Sequence, residues 1–134
     1  MIERGSSPLL ARAQEADTDG WGSPPLSYYE HHHLPRFGDI AQGNDELAKK
    51  FFAWYGAVFK DGALTAREKS LIALAVAHAV QCPYCIDAYA NDCLEKGSDL
   101  SEMTEAIHVA AAIRGGASLV HGVQMLEHVE KAGM

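Results

Sequence analysis

The tetrapeptide Cys82-Pro83-Tyr84-Cys85 constrains this chain more than any other stretch, because it sets a proline and two thiols between two alanine-rich segments. Proline has a fixed φ and no N–H, so it breaks a helix interior but suits the first helical position. The tetrapeptide therefore marks a helix-to-helix junction, with Cys82 as N-cap and Cys85 in the first turn of the second helix. Unpaired backbone N–H groups and the positive end of the macrodipole favour a thiolate there. Two cysteines at this spacing within one turn are close enough to form a disulfide, given suitable rotamers. The expected chemistry is a reversible dithiol. One sulfur attacks a peroxide or a disulfide, and its partner resolves the resulting sulfenic acid or mixed disulfide.

The flanking pattern is helical throughout. Leu47, Phe51, Trp54, Tyr55 and Val58, spaced three and four apart, predict a helix over 46–59 capped by Asn44 or Asp45. Thr65 and Glu68 fit a capping box for a second helix from about Ala66 to Gln81, apolar nearly all round and so central. The helix opened by Pro83 carries Ile86, Tyr89, Ala90, Cys93 and Leu94 and stops at Lys96 and Gly97. Asp99 and Glu102 start another, with Met103, Ile107, Ala110 and Ala111 as its buried stripe, until Arg114, Gly115 and Gly116 interrupt it. A last helix over 117–131 is expected to bury Leu119, Val123 and Leu126. No stretch alternates with period two for long and no unit repeats, so the fold class is all-α. The expectation is a compact domain of about five to seven helices over 28–134, preceded by an N-terminal arm over 1–27 rich in Gly, Ser and Pro. Tyr28, Tyr29, His31, His32, His33 and Phe37 read as a polar lead-in with aromatic anchors. Successive histidines point in different directions and chelate a single ion poorly.

Composition narrows the partners. The 134 residues suit one domain, and 11 Lys and Arg against 18 Asp and Glu give a net charge of −7. Such a surface repels duplex nucleic acid and anionic membranes. No apolar run reaches the roughly 18 residues of a membrane span, and no basic segment leads into an apolar one, so a cytoplasmic protein is expected. Three cysteines are too few, and odd in number, for a secreted disulfide framework. Zinc competes for the CxxC pair, but a closed site needs two more ligands and no second CxxC or HxxxH follows. Neither a metal nor a cofactor is expected.

His78 lies one helical turn before Cys82 and is the first candidate for the thiol's base or charge partner, since imidazole titrates near neutrality. Glu68 is about 20 Å from Cys82 along a straight helix, so its capping role is favoured. His108 and His121 flank the Gly115-Gly116 break and can converge on the pocket if their helices pack on the central one. Cys93 reads as a buried small hydrophobe. Arg114 reads as an interface pairing residue.

The stretch 62–125 resembles the carboxymuconolactone decarboxylase superfamily, and within it the alkylhydroperoxidase D-like branch. The residues that carry the likeness are Leu64-Thr65, Arg67-Glu68, the run from Leu71 to Val76, Cys82-Pro83-Tyr84-Cys85, Gly97 and Gly115-Gly116. More narrowly, Phe52-Ala53-Trp54-Tyr55, Ile113-Arg114-Gly115-Gly116 and His121-Gly122-Val123-Gln124-Met125 resemble a peroxidase-like subgroup associated with arsenosugar biosynthesis. The resemblance implies an all-α fold and a homo-oligomer, a trimer or hexamer. It implies that Cys82 and Cys85 reduce a peroxide and draw electrons from a thioredoxin-like or lipoyl-linked donor. Two positions depart from the branch's proton relay: Tyr89 stands where a His is expected, and an ungapped alignment puts the relay Glu at Ser70. Members that decarboxylate a lactone lack the dithiol. The competing reading is a dithiol module that binds a thiophilic ligand such as trivalent arsenic without peroxidase turnover.

Overall fold

Side-chain caps decide where the first four α-helices of this protein begin. The computed structural model describes residues 31–134; the expected arm over 1–27 lies outside them. A 3-10 helix, His31–Gln42, precedes α1 (Asp45–Val58), α2 (Ala66–Ala79), α3 (Pro83–Glu95), α4 (Leu100–Val120) and α5 (Gly122–Lys131). No strand occurs among the described residues. The all-α class is therefore as expected. Asn44 Oδ1 accepts the Leu47 N–H at 3.1 Å to start α1. At α2, Thr65 Oγ1 accepts the Glu68 N–H (3.1 Å) while the Glu68 carboxylate accepts the Thr65 N–H (2.7 Å). Asp99 and Glu102 repeat the reciprocal pair at α4, both bonds at 2.9 Å.

Two helix ends share a motif. In α2, Gln81 takes φ 55°, its N–H reaches the His78 carbonyl (3.2 Å), and the Cys82 N–H reaches the Ala77 carbonyl (3.0 Å). In α3, Gly97 takes φ 80°, with Gly97 N–H on the Leu94 carbonyl (3.0 Å) and Ser98 N–H on the Cys93 carbonyl (2.9 Å). Both are Schellman closures, which satisfy orphan carbonyls by turning the chain through the left-handed region. The helix predicted to reach Gln81 thus ends two residues earlier, at Ala79.

The break expected at Gly115 and Gly116 is displaced. α4 runs through both glycines to Val120, and the regular helix is interrupted only at His121. Each glycine costs only about 1 kcal/mol relative to alanine, which a 21-residue helix rich in alanine absorbs.

α2 is the central element, packed against α3 and α4. Leu74, Ala77, Cys93 and Ala110 form the buried core, so Cys93 is the small buried hydrophobe expected. Of the predicted α4 stripe, Ala110 is buried, Met103 and Ile107 are half-buried, and Ala111 is exposed. Arg67 reaches Glu102 at 2.5 Å, tying the start of α2 to the start of α4. Arg114 donates to the Ala79 carbonyl and so caps the end of α2 within the chain. α1 holds the 3-10 helix through Phe37, edge-on to Phe52 at 5.1 Å. Leu119, Val123 and Leu126 are 80%, 54% and 53% exposed, against the expectation that the last helix buries them. The reason is geometric: α5 meets α4 only across the His121 junction, and the end of α4 is itself exposed from Ile113 to Val120.

The two capping boxes carry a pH dependence. The Thr65 N–H, followed by the Thr65 hydroxyl, holds the Glu68 carboxyl below the usual carboxylate range. The Arg67 guanidinium, followed by the Asp99 N–H, does the same for Glu102. A carboxyl depressed in the folded state stabilises fully above its unfolded pKa, and that contribution is lost as pH falls through the folded value. Glu102→Gln is therefore expected to lower the urea midpoint at neutral pH, with the gap to the parent closing in acid below the depressed range. A gap independent of pH contradicts the assignment.

Candidate thiol redox site

The close of α2 and the start of α3 meet in one residue. Cys82 supplies the last N–H of the Schellman closure and is also the N-cap of α3, with its Sγ accepting the Cys85 N–H at 3.3 Å. Pro83 follows as the first helical residue, so junction, cap and first turn fall where the tetrapeptide predicted. Cys82 and Cys85 are joined as a disulfide with their Cα atoms 5.3 Å apart, inside the ordinary range for such a bond. Cys93 is the free cysteine and is fully buried.

A cavity of about 320 Å³ opens beside the disulfide, walled by His33 and Phe37 from the 3-10 helix, Tyr55 from α1, and Tyr84 and Tyr89 from α3. A second cavity, about 450 Å³, lies between α1 and α2; it shares Tyr55, Tyr89 and Cys85 with the first but does not reach Cys82. The two tyrosines thus form a partition with Cys85 on both sides. Their hydroxyls are hydrogen-bonded to each other, and Phe59 stacks on Tyr89 with ring centres 5.1 Å apart. Burial first, and the negative charge of Asp92 second, push the Tyr55 hydroxyl above the ordinary tyrosine value, so it stays protonated and can donate. On the other flank the Tyr84 hydroxyl and His33 Nδ1 are 3.0 Å apart, which ties the 3-10 helix to the CxxC turn.

Of the predicted site residues, the fold brings Cys82, Cys85 and Tyr89 together. His78 lies apart: its Nδ1 is 2.8 Å from the Leu74 carbonyl and donates to it, and His78 lines neither cavity. The helical stripe that linked it to Cys82 ends at Ala79, because the turn through Gln81 takes Cys82 off the helix. Glu68 is occupied at the far end of α2 by its capping box. His108 and His121 are exposed and line neither cavity. Ser70, at the position of the relay Glu, is fully buried and donates to the Arg67 carbonyl at 2.8 Å. Tyr55, Tyr84 and His33 were missed. Tyr55 had a signal as an apolar position of α1 and within the Phe52-Ala53-Trp54-Tyr55 resemblance, and Tyr84 as an aromatic inside the CxxC.

No cluster of three or more His, Cys, Asp or Glu side chains fit to hold a metal occurs among the described residues. The site is thus a disulfide bordered by aromatic hydroxyls. A family model, that of the carboxymuconolactone decarboxylase family, matches residues 45–128. The chain belongs to this family. A Paracoccus denitrificans relative, called uncharacterized protein 4 in the cox locus, is 39% identical over 89 residues, 66% of this chain and 80% of its own. A crystal structure of a Methanobacterium thermoautotrophicum protein superimposes with a TM-score of 0.62 at 36% identity, covering 64% of this chain and 97% of that one. A carboxymuconolactone decarboxylase family protein from Legionella pneumophila gives 0.57 at 30% identity, over 75% and 94%. The matched span includes every residue placed around the disulfide except those of the 3-10 helix.

The tyrosine partition makes a measurable prediction. Tyr89→Phe leaves the half-buried Tyr55 hydroxyl without its partner and is expected to cost about 1 kcal/mol of stability. The double variant Tyr55→Phe/Tyr89→Phe is expected to recover part of that loss in a double-mutant cycle by urea unfolding. Strictly additive losses contradict the hydrogen bond.

Proposed function

We propose that this chain is a thiol-dependent peroxidase of the alkylhydroperoxidase D-like branch, with Cys82 and Cys85 as its redox pair. The observation that carries the proposal is the Cys82–Cys85 bond at the N-terminus of α3, beside a cavity large enough for a small organic molecule. In the reduced state one thiolate attacks the distal oxygen of a hydroperoxide. The O–O bond breaks, the sulfur becomes a sulfenic acid, and the departing alkoxide takes a proton to leave as an alcohol. The second thiol displaces water from the sulfenic acid and closes the disulfide. A dithiol donor, thioredoxin-like or lipoyl-linked, then exchanges with that disulfide and restores both thiols. The Tyr55–Tyr89 hydroxyl pair supports this step as a proton donor near Cys85, in place of the relay that Ser70 and Tyr89 do not reproduce.

The reducing compartment this cycle needs is the cytoplasm, and no described helix is long and apolar enough to cross a membrane. The active form is a homo-oligomer, trimer or hexamer, in which Ile113, Leu119, Val123 and Leu126 are covered by neighbouring copies. Their exposure in a single chain supports this. One observation favours the competing role as a dithiol binder of trivalent arsenic. Neither His78 nor Glu68 lines the cavities at the thiols, and metalloid capture needs no proton relay.

One equivalent of peroxide added to the reduced protein is expected to remove two thiols and regenerate the disulfide. Cys82→Ser and Cys85→Ser are each expected to abolish turnover. Two thiols that persist after peroxide, with arsenite bound by mass spectrometry and lost in Cys82→Ser, transfer the assignment to the binding role. For the assembly, sedimentation is expected to give a species well above the 14.5 kDa of one chain, and Leu119→Glu is expected to dissociate it. A monomeric parent overturns the oligomer.

A further inference from the structure

The second cavity at Cys85 has a built polarity. Lys69, Ile72, Ala73, Val76, Ala77 and Val80 all line it. They recur one or three residues apart and so make one stripe of α2 and its C-cap, Val80. From Lys69 to Val80 this stripe spans about 16 Å at roughly 1.5 Å per residue. Val58 and Phe59 of α1 form the facing wall. Ile72, Val76 and Val80 are 49%, 53% and 64% exposed, so the apolar floor is open to a ligand. Cys85 stands at one end. At the other, the half-buried Lys69 donates its Nζ to the Lys60 carbonyl at 2.6 Å and, among the described residues, meets no carboxylate within ion-pair distance. An ammonium has three donors, and one of them is used.

We infer that this groove binds a long-chain organic acid hydroperoxide, with the carboxylate at Lys69, the apolar tail along Ile72, Val76 and Val80, and the peroxide at Cys85. The inference rests on the peroxidase proposal for its chemistry and on the groove alone for its binding. Cys85 lines the groove and Cys82 does not, which makes Cys85 the attacking sulfur for this substrate. The Cys85 thiolate takes the distal oxygen, the O–O bond breaks, and the alkoxide is protonated to a hydroxy acid. The Cys82 thiol then condenses with the Cys85 sulfenic acid, releases water and forms the disulfide, which a donor dithiol reduces. Charge selects the acid: a carboxylate beside Lys69 gains a charge-assisted hydrogen bond that its methyl ester cannot make.

Two readouts on the full chain test this. The first is kcat/KM for linoleic acid hydroperoxide relative to its methyl ester. The parent is expected to favour the acid by about 5- to 10-fold, a typical range for one partly exposed charge-assisted contact. Lys69→Gln is expected to erase that preference and Lys69→Arg to keep it. The second is calorimetric titration with laurate, which carries no peroxide: the parent binds it more tightly than Lys69→Gln does. Laurate bound through Lys69 without turnover of any peroxide supports the groove while overturning the peroxidase proposal. Turnover with no acid preference and no laurate binding overturns the groove and leaves that proposal standing. Dissociation of the oligomer by Val76→Glu shows that the groove is filled by a second copy of the chain, and that also overturns the inference.

Discussion

Much of this structure depends on the hydrogen bonds of one residue. The Cys82 N–H closes α2 onto the Ala77 carbonyl, and the Cys82 sulfur opens α3 by accepting the Cys85 N–H. A connection of three residues between two helices leaves little room, and the left-handed Gln81 supplies the reversal that a glycine would ordinarily make. The equivalent turn after α3 does use glycine, at Gly97. The backbone of the junction therefore fixes both the direction of α3 and the place of its first-turn thiol. The Cys82–Cys85 pair is held by main-chain geometry.

That arrangement shifts the burden of proton handling. In the proposed cycle the free N–H groups of a helix start, in place of an adjacent imidazole, favour the thiolate. His78 turns back to its own helix, and the groups that do border Cys85 are the hydroxyls of Tyr55 and Tyr89. A tyrosine kept protonated by burial is a poor base for a thiol but a serviceable donor to a departing alkoxide. Such a pair fits the donor role proposed for it better than the role of base to a thiol.

Local chemistry was the legible part of the sequence. Capping pairs at Thr65 and Asp99, the proline at α3, and the glycine after it act within a few residues, and each sits where the pattern placed it. What failed was the placing of helix ends that no local signal marks. Gln81 carries no turn signature, so the stripe joining His78 to Cys82 looked continuous. The glycine pair in α4 looked like a break, although glycine weakens a helix interior without ending it. Tyr55 could not be found because its meaning arises only when α1 packs beside α3. The apolar residues at the end of α4 and along α5 were read correctly as apolar, but the other described elements leave them exposed.

The central claim is that the junction activates one of the two paired thiols, and the pH dependence of alkylation tests it most directly. The protein is reduced, treated with iodoacetamide across a pH series, and each cysteine is followed by mass spectrometry. One of Cys82 and Cys85 should alkylate with a midpoint well below the value of about 8.5 for a free thiol, while Cys93 stays unmodified in the folded protein. Midpoints at or above that value for both members of the pair would contradict the account.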